Sequence, residues 1–159
     1  MTREKQLSGT KYVIDVNVMA IYLVENHPGN EYISNVIDEA IERKIELVLF
    51  DFLPIRVFWI LTSKWKVPKL EAREAVLSFI ELPNTSIITL EKEAIREAFT
   101  LAEKLNHDIY DTIYVLVAIK NNARGIITTD TDFKKLCQAL KLQYVNPVPE
   151  NILKKFHKF

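Results

Sequence analysis

KYVIDVNVMA, residues 11–20, is an apolar run broken by one acid, Asp15, and one amide, Asn17. Its first half is rich in aromatic and β-branched residues, which suit a pleated strand. Its second half continues apolar after Asp and Asn, two of the preferred helix N-caps. The stretch therefore reads as a buried strand over 11–16 that passes straight into a helix at Asn17. A carboxylate at the end of a buried strand is costly unless it finds a partner. Asp15 thus has one of two jobs: it caps the helix, or it faces other groups at the edge of a sheet.

The rest of the chain repeats the pattern. IELVLF (45–50), TSIITL (85–90), GIITTD (125–130) and the short QYVN (143–146) read as further strands. Between them, helical spacing runs over 17–26, 30–44, 52–65, 69–82, 91–106, 108–122 and 132–140. In 30–44 the apolar set is Ile33, Val36, Ile37, Ala40 and Ile41, one stripe on an otherwise charged helix. Pro68 marks a helix start, and Gly125 reads as the stop signal of the helix before it. The strands are continuous apolar runs rather than alternating ones, so both faces of the sheet are covered and the strands run parallel. The expected fold is a single-domain, three-layer α/β/α sandwich with a mostly parallel sheet. Residues 1–10 read as a flexible arm, 11–148 as the domain and 149–159 as a basic, aromatic tail.

Composition narrows the function. The chain has 159 residues, 48% hydrophobic and 26% charged, with 21 Lys+Arg against 21 Asp+Glu. No bulk positive field attracts nucleic acid, so any such contact must be local. The polar start MTREKQLSGTK lacks the apolar segment of a secretory signal. No apolar run approaches the roughly 18 residues that a membrane span needs, and the cytoplasm is the expected compartment. A single cysteine, Cys137, excludes an internal disulfide and a multi-cysteine zinc site. The glycines, Gly9, Gly29 and Gly125, form neither GxGxxG nor a P-loop, which argues against dinucleotide and NTP binding.

Acids gather where such a sheet binds ligands. In an open parallel α/β sheet, sites form outside the carboxyl ends of the strands. Asp15 and Asp51 close the first two strands, and Asp130 and Asp132 follow the fourth in TTDTDF. Asp108 and Asp111 open the helix before the fourth strand. If strands one and four are neighbours, Asp15, Asp111 and Asp130 converge. Carboxylates that close do not all stay ionised unless a cation joins them, and an oxygen-only ligand set favours Mg²⁺ or Mn²⁺. Each acid also has a plain structural use. Asp15 or Asn17, Asp108, Asp132 and Asp51 are all placed to cap a helix.

At this point three blocks, YVIDVNVMA, YDTIYVLVA and IITTDTDF, resemble the signature blocks of PIN domains, including the toxin nucleases of toxin–antitoxin pairs. The resemblance spans roughly residues 11–148. It implies a five-stranded parallel sheet and a Mg²⁺- or Mn²⁺-dependent ribonuclease. Asp15, Asp111 and Asp130 stand at the matching acidic positions, with Asp132 or Asp51 as a further ligand. Asn17 and Thr128 match supporting polar positions. One position departs. Where the family carries Glu on the helix after strand two, this chain has Arg56, in RVFWIL. A guanidinium pairs with carboxylates and opposes a divalent cation. Three outcomes are open. Asp51 replaces the missing carboxylate, Arg56 pairs with Asp15 or Asp111 and weakens the site, or Arg56 points outward and touches nothing.

The expected function is therefore a metal-dependent endoribonuclease. The alternative is an inactive PIN scaffold that binds RNA or a protein. A receiver-type signalling domain also gathers acids around Mg²⁺, but no lysine follows a late strand in the required way. Lys134, Lys135 and the tail LKKFHKF are candidate phosphate contacts, although such lysines usually just face water. The histidines, His27, His107 and His157, are scattered and suggest no histidine-based catalyst. Phe58, Trp59, Ile60 and Leu61 are too many consecutive bulky residues for one helical stripe. They belong either to a helix packed on two sides or to a homodimer interface, and the resemblance favours the dimer. It also implies an antitoxin protein encoded elsewhere.

Overall fold

The computed structural model describes residues 9–159. Five strands form one sheet in the order β3-β2-β1-β4-β5, and every pairing is parallel. The strands are β1 (Thr10–Ile14), β2 (Ile45–Phe50), β3 (Thr85–Ile88), β4 (Gly125–Ile127) and β5 (Gln143–Val145). The fold class is the one expected. β2 is buried along its whole length, which is why it reads as an uninterrupted apolar run. Val13↔Val48 and Val13↔Ile126 set the register of the central strand on its two sides.

Helices α1 (Val16–Tyr22) and α2 (Asn30–Ile41) connect β1 to β2, and α3 (Leu53–Trp59) and α4 (Lys69–Ile80) connect β2 to β3. The chain then returns through α5 (Lys92–Leu105) and α6 (Ile109–Lys120) to β4, and α7 (Phe133–Ala139) leads to β5. Right-handed crossovers put α1–α4 on one face and α5–α7 on the other, because the strand order reverses direction after β3. The packing agrees: α1 meets α2 and α3, while α6 meets α5 and α7. Fully buried Ile14, Leu47, Leu49, Leu53, Phe79, Ile126 and Phe133 fill the two interlayer spaces. Each such side chain contributes about 1.5–3 kcal/mol by leaving water.

Several element boundaries differ from the sequence reading. β1 begins at Thr10 and ends at Ile14, so Thr10 belongs to the sheet and not to an arm. Residues 1–8 lie outside the described residues. β4 stops at Ile127, well short of Asp130, because Thr128 and Asp130 turn their polar groups to each other. Gly125 is not a helix stop. α6 ends at Lys120, and Asn122, at φ 54°, makes the left-handed turn. Gly125 instead opens β4 beside β5, where a Cβ would lie 2.8 Å from the carbonyl carbon of Gln143 and closer still to its oxygen. Backbone on the neighbouring strand does not swing aside. Gly125→Ala is expected to cost about 1–3 kcal/mol, the range for overpacking. At this chain length that lowers Tm by roughly 2–12 °C. A Tm within about a degree of wild type in a thermal melt would show that the strands separate freely.

The helix expected over 52–65 is α3 followed by a π-helical turn over Ile60–Lys64. Ile60 and Leu61 are buried, Phe58 is partly buried, and Trp59 is 51% exposed with the Lys64 ammonium 5.8 Å from its ring centre. Most of that bulky run is therefore spent inside this chain. The segment expected as a tail carries helix α8 (Glu150–Leu153) and a 3-10 turn (Phe156–Lys158). Its Phe156 and Phe159 rings pack on His27, with centroids 4.6 and 4.5 Å away. Among the described residues, no helix is long and apolar enough to cross a membrane.

Candidate active site

The carboxyl ends of β1 and β4 are adjacent, and the chain leaves them toward opposite faces of the sheet. A crevice forms at such a reversal in open α/β sheets. Asp15 is the first residue beyond β1. Its backbone N–H still donates to the Ile127 carbonyl at 3.0 Å, which holds it in the plane of the sheet. It occupies the N-cap position of α1 but makes no side-chain cap bond there, and the backbone N–H of Val16 beside it only helps to lower the carboxyl's pKa. The capping use is therefore not its main one. The carboxylate is only 4% exposed and accepts a hydrogen bond from Thr128 Oγ1 at 2.8 Å. Thr128 Oγ1 accepts in turn from the Asp130 N–H at 2.9 Å, and Asp130 Oδ1 accepts from the Asp132 N–H at 2.9 Å. One threonine hydroxyl thus locks the loop after β4 to the acid after β1.

Asp111 reaches the same place from the first turn of α6. Asp108 caps that helix, accepting from the Tyr110 N–H at 2.7 Å, and this frees Asp111 to face the sheet. Its Oδ2 lies 3.2 Å from His107 Nε2. Sequence reasoning set His107 aside with the other scattered histidines; its i,i+4 spacing to Asp111 was the signal. Tyr114 was also missed. It lies one helical turn after Asp111, on the same face, and its hydroxyl accepts from the Val16 N–H at 3.3 Å. Phe50 and Phe133 hold its ring edge-on at 5.2 and 5.9 Å.

Asp15, Asp111 and Asp130 line one cavity of about 580 Å³. Burial pushes the Asp15 carboxyl up from its ordinary 3.8 to about 6, and the charges of Asp130 and Asp111 add to the rise while Thr128 opposes it. Burial likewise raises Asp111; the His107 bond pulls it back and Asp130 pushes it up again. Burial, then the nearby Asp15, raises the Tyr114 phenol, so it stays protonated. The three acids therefore feel one another, and ionised together they are uncompensated by any ion pair to Asp15 or Asp130 among the described residues.

Other expected residues are placed differently. Asp51 is exposed and does not line this cavity, and Phe52, not Asp51, is the N-cap of α3. Asp132 is exposed too, engaged through its backbone N–H. Asn17 is partly buried in the first turn of α1, away from the cavity lining. Arg56 does line the cavity, but it pairs with no acid among the described residues. Its guanidinium lies 5.2 Å from the centre of the Tyr110 ring. Neither the ion pair nor the outward, contact-free arrangement of Arg56 is what the structure shows. Lys134 stands 5.8 Å over the Tyr144 ring, and both Lys134 and Lys135 are exposed.

The donor set suits a hard divalent cation: oxygen ligands only, with a desolvated carboxylate that has no ion-pair partner among the described residues. As the side chains stand, no three acidic, histidine or cysteine groups among the described residues close around a single point, and Asp111 is engaged with His107. The residues fit the ion by chemistry and location.

Known structures share the fold. A VapBC2 complex from Rickettsia felis, bound to a DNA fragment from its promoter, aligns over 86% of this chain and 98% of the other at 18% identity and a TM-score of 0.63. VapC20 from Mycobacterium tuberculosis, a sarcin–ricin loop cleaving toxin, aligns over 84% and 98% at 9% identity and a TM-score of 0.64. No curated protein matches the chain by sequence. The PIN domain family profile matches residues 12–139, from the middle of β1 through α7 and across all three acids. The chain belongs to the PIN domain family.

Proposed function

We propose that this protein is a Mg²⁺- or Mn²⁺-dependent endoribonuclease of the cytoplasm, acting as the toxin of a toxin–antitoxin pair. The observation that carries the reading is the convergence of Asp15, Asp111 and Asp130, from three separate elements, on one cavity at the β1/β4 reversal. These three would hold the cation. Bound there, it would supply an activated water and charge neutralisation at the scissile phosphate. The chain's own residues prepare that place. Thr128 fixes the Asp15 carboxylate and ties it to the Asp130 backbone. His107 orients Asp111, the kind of outer contact that commonly sets a ligand's direction. Tyr114, kept protonated, closes the floor beneath Val16. Asn17 is a further polar group near the first acid. The two structural neighbours named above, VapBC2 bound to a promoter DNA fragment and a sarcin–ricin loop cleaving toxin, support the same reading.

A second reading is a catalytically weak PIN scaffold that binds RNA or protein. It is favoured by Arg56 in place of the expected Glu and by Asp111 being engaged with His107. Incubation of single-stranded RNA with the protein, with and without millimolar Mn²⁺, separates the two. Cleavage that needs Mn²⁺ and disappears in Asp130→Asn is expected. No cleavage by the wild type, or equal cleavage by both proteins, would leave the scaffold. Self-association belongs to the proposal as well, through Ile55 and Trp59, which are exposed on the outer side of α3. A monomer in light scattering at micromolar concentration would remove that part.

A further inference from the structure

The mouth of the carboxylate cavity carries aromatic side chains that the fold does not use. Phe52 is 56% exposed, Phe99 58% and Tyr110 63%. All three line the cavity that Asp15, Asp111 and Asp130 share. Helix α5 makes the point sharply. It turns Ala94, Ala98 and Ala102 inward and leaves Ile95 and Phe99 to solvent. Burial of apolar area would favour the reverse. Among them stands Arg56, exposed, in no ion pair with the described residues, with its guanidinium 5.2 Å from the Tyr110 ring centre. Among the described residues it is the one cation in the cavity lining.

We propose that this rim binds unpaired RNA: Arg56 takes a backbone phosphate, and Tyr110, flanked by Phe99 and Phe52, stacks an unpaired nucleobase. The inference rests on the nuclease reading and deepens it to the residues outside the acidic centre that grip the substrate. Three carboxylates repel an approaching phosphodiester, and one cation at their edge offsets that repulsion where the strand enters. A guanidinium meets phosphate oxygens with a rigid fork of donors. Its seat over Tyr110 holds it in place without consuming those donors, since the attraction is to the ring face. Exposed aromatic faces beside a cationic group are how single-stranded nucleic acid is gripped without base-edge readout. Bases in a duplex are already stacked and have no face to offer. On this reading, arginine at a position where the resemblance leads one to expect glutamate gives up a carboxylate and gains a phosphate contact.

The test measures binding apart from cleavage. In the Asp130→Asn background, a fluorescein-labelled single-stranded oligoribonucleotide is titrated by anisotropy in Mg²⁺ at several salt concentrations. Arg56→Ala, Arg56→Lys and Tyr110→Ala are added in turn; both positions are exposed, so the variants fold. Arg56→Ala is expected to weaken binding and to reduce the log–log salt slope by about 0.7, one phosphate contact on a single strand. Arg56→Lys should keep the slope and bind less tightly than arginine. Tyr110→Ala should weaken binding by about five- to 150-fold, the loss of one stacked base. A duplex of the same sequence should bind worse than the single strand and be indifferent to Tyr110→Ala. If the background protein binds RNA and none of these variants changes affinity or slope, the inference fails alone. If Arg56→Ala binds or cleaves RNA better, Arg56 is an obstruction and the inference is overturned. If the wild type neither binds nor cleaves RNA in Mn²⁺, the nuclease reading falls and takes the inference with it.

Discussion

Asp15→Asn is expected to abolish cleavage and, in the absence of divalent ions, to make the protein more stable. The buried carboxyl has its folded-state pKa raised from 3.8 to about 6. The folded state therefore holds a proton that the unfolded chain has already released. The penalty is absent below about pH 4, grows as pH rises, and is complete above about pH 6. A shift of this size corresponds to about 3 kcal/mol at neutral pH. Asparagine removes the charge and still offers Thr128 an acceptor. Urea unfolding at pH 7 without divalent ions should give the variant the larger free energy, with the gap closing near pH 4. Mn²⁺ should raise the Tm of the wild type and leave the variant's unchanged, because only a ligand that binds the folded state stabilises it. Cleavage should fall by more than about a hundredfold, since changes to mere supporting contacts of metal ligands already cost 10–100-fold. A variant that is less stable than wild type at pH 7, with no Mn²⁺ effect on either protein, would remove Asp15 from any cation site. Stability given up at one residue for function is a common trade.

Acid is expected to weaken the fold through His27, a residue that does not line the carboxylate cavity. This residue lies between α1 and α2 and is 5% exposed, with Trp65, Phe156 and Phe159 around its ring. Its Nδ1 accepts from the Gly29 N–H at 3.0 Å, so the ring is neutral with its proton on Nε2. Burial lowers its pKa from 6.5 to about 4. Here the unfolded chain binds the proton first. The contribution is complete above about pH 6.5 and is lost as pH falls toward 4, by about 3 kcal/mol in all. Because Asp15 works in the opposite sense over part of that range, the clean measurement is a difference. The unfolding free energy of wild type minus that of His27→Gln should decline by this amount between pH 7 and 4. A difference that does not change with pH would show that the C-terminal rings do not keep water from the imidazole. Gly29 has a part in the same contact, since a Cβ there would lie 2.8 Å from the Phe156 ring.

The alternation of apolar runs and amphipathic segments was enough to reach a parallel, two-sided α/β domain. β2 shows why: a strand buried on both faces carries its position in residue type alone, and Ile45–Phe50 was read to the residue. Asp108 was legible as a cap for a similar reason, because a capping carboxylate and its helix are neighbours in the chain. Ends governed by distant partners were not. β4 is shorter than the strand read over 125–130 because Thr128 turns its hydroxyl to Asp15, 113 residues away in sequence, and to the Asp130 N–H. Gly125 looked like a helix terminator until Gln143, from another strand, gave its missing side chain a different reason.

The acids were nameable one by one from chain order, strand ends and the PIN resemblance. Whether they meet depended on β1 lying beside β4, which no local signal encodes. The same holds for what surrounds them. Residue type said that Arg56 was a cation where an acid was expected; packing put its guanidinium over Tyr110 instead of against a carboxylate. Packing also paired His107 with Asp111 and turned Ile95 and Phe99 of α5 outward beside the cavity. Local sequence carries periodicity, capping and charge because these act between near neighbours in the chain. Desolvation, carboxylate repulsion and ring contacts act through space, so they arise only once the sheet has brought distant segments together.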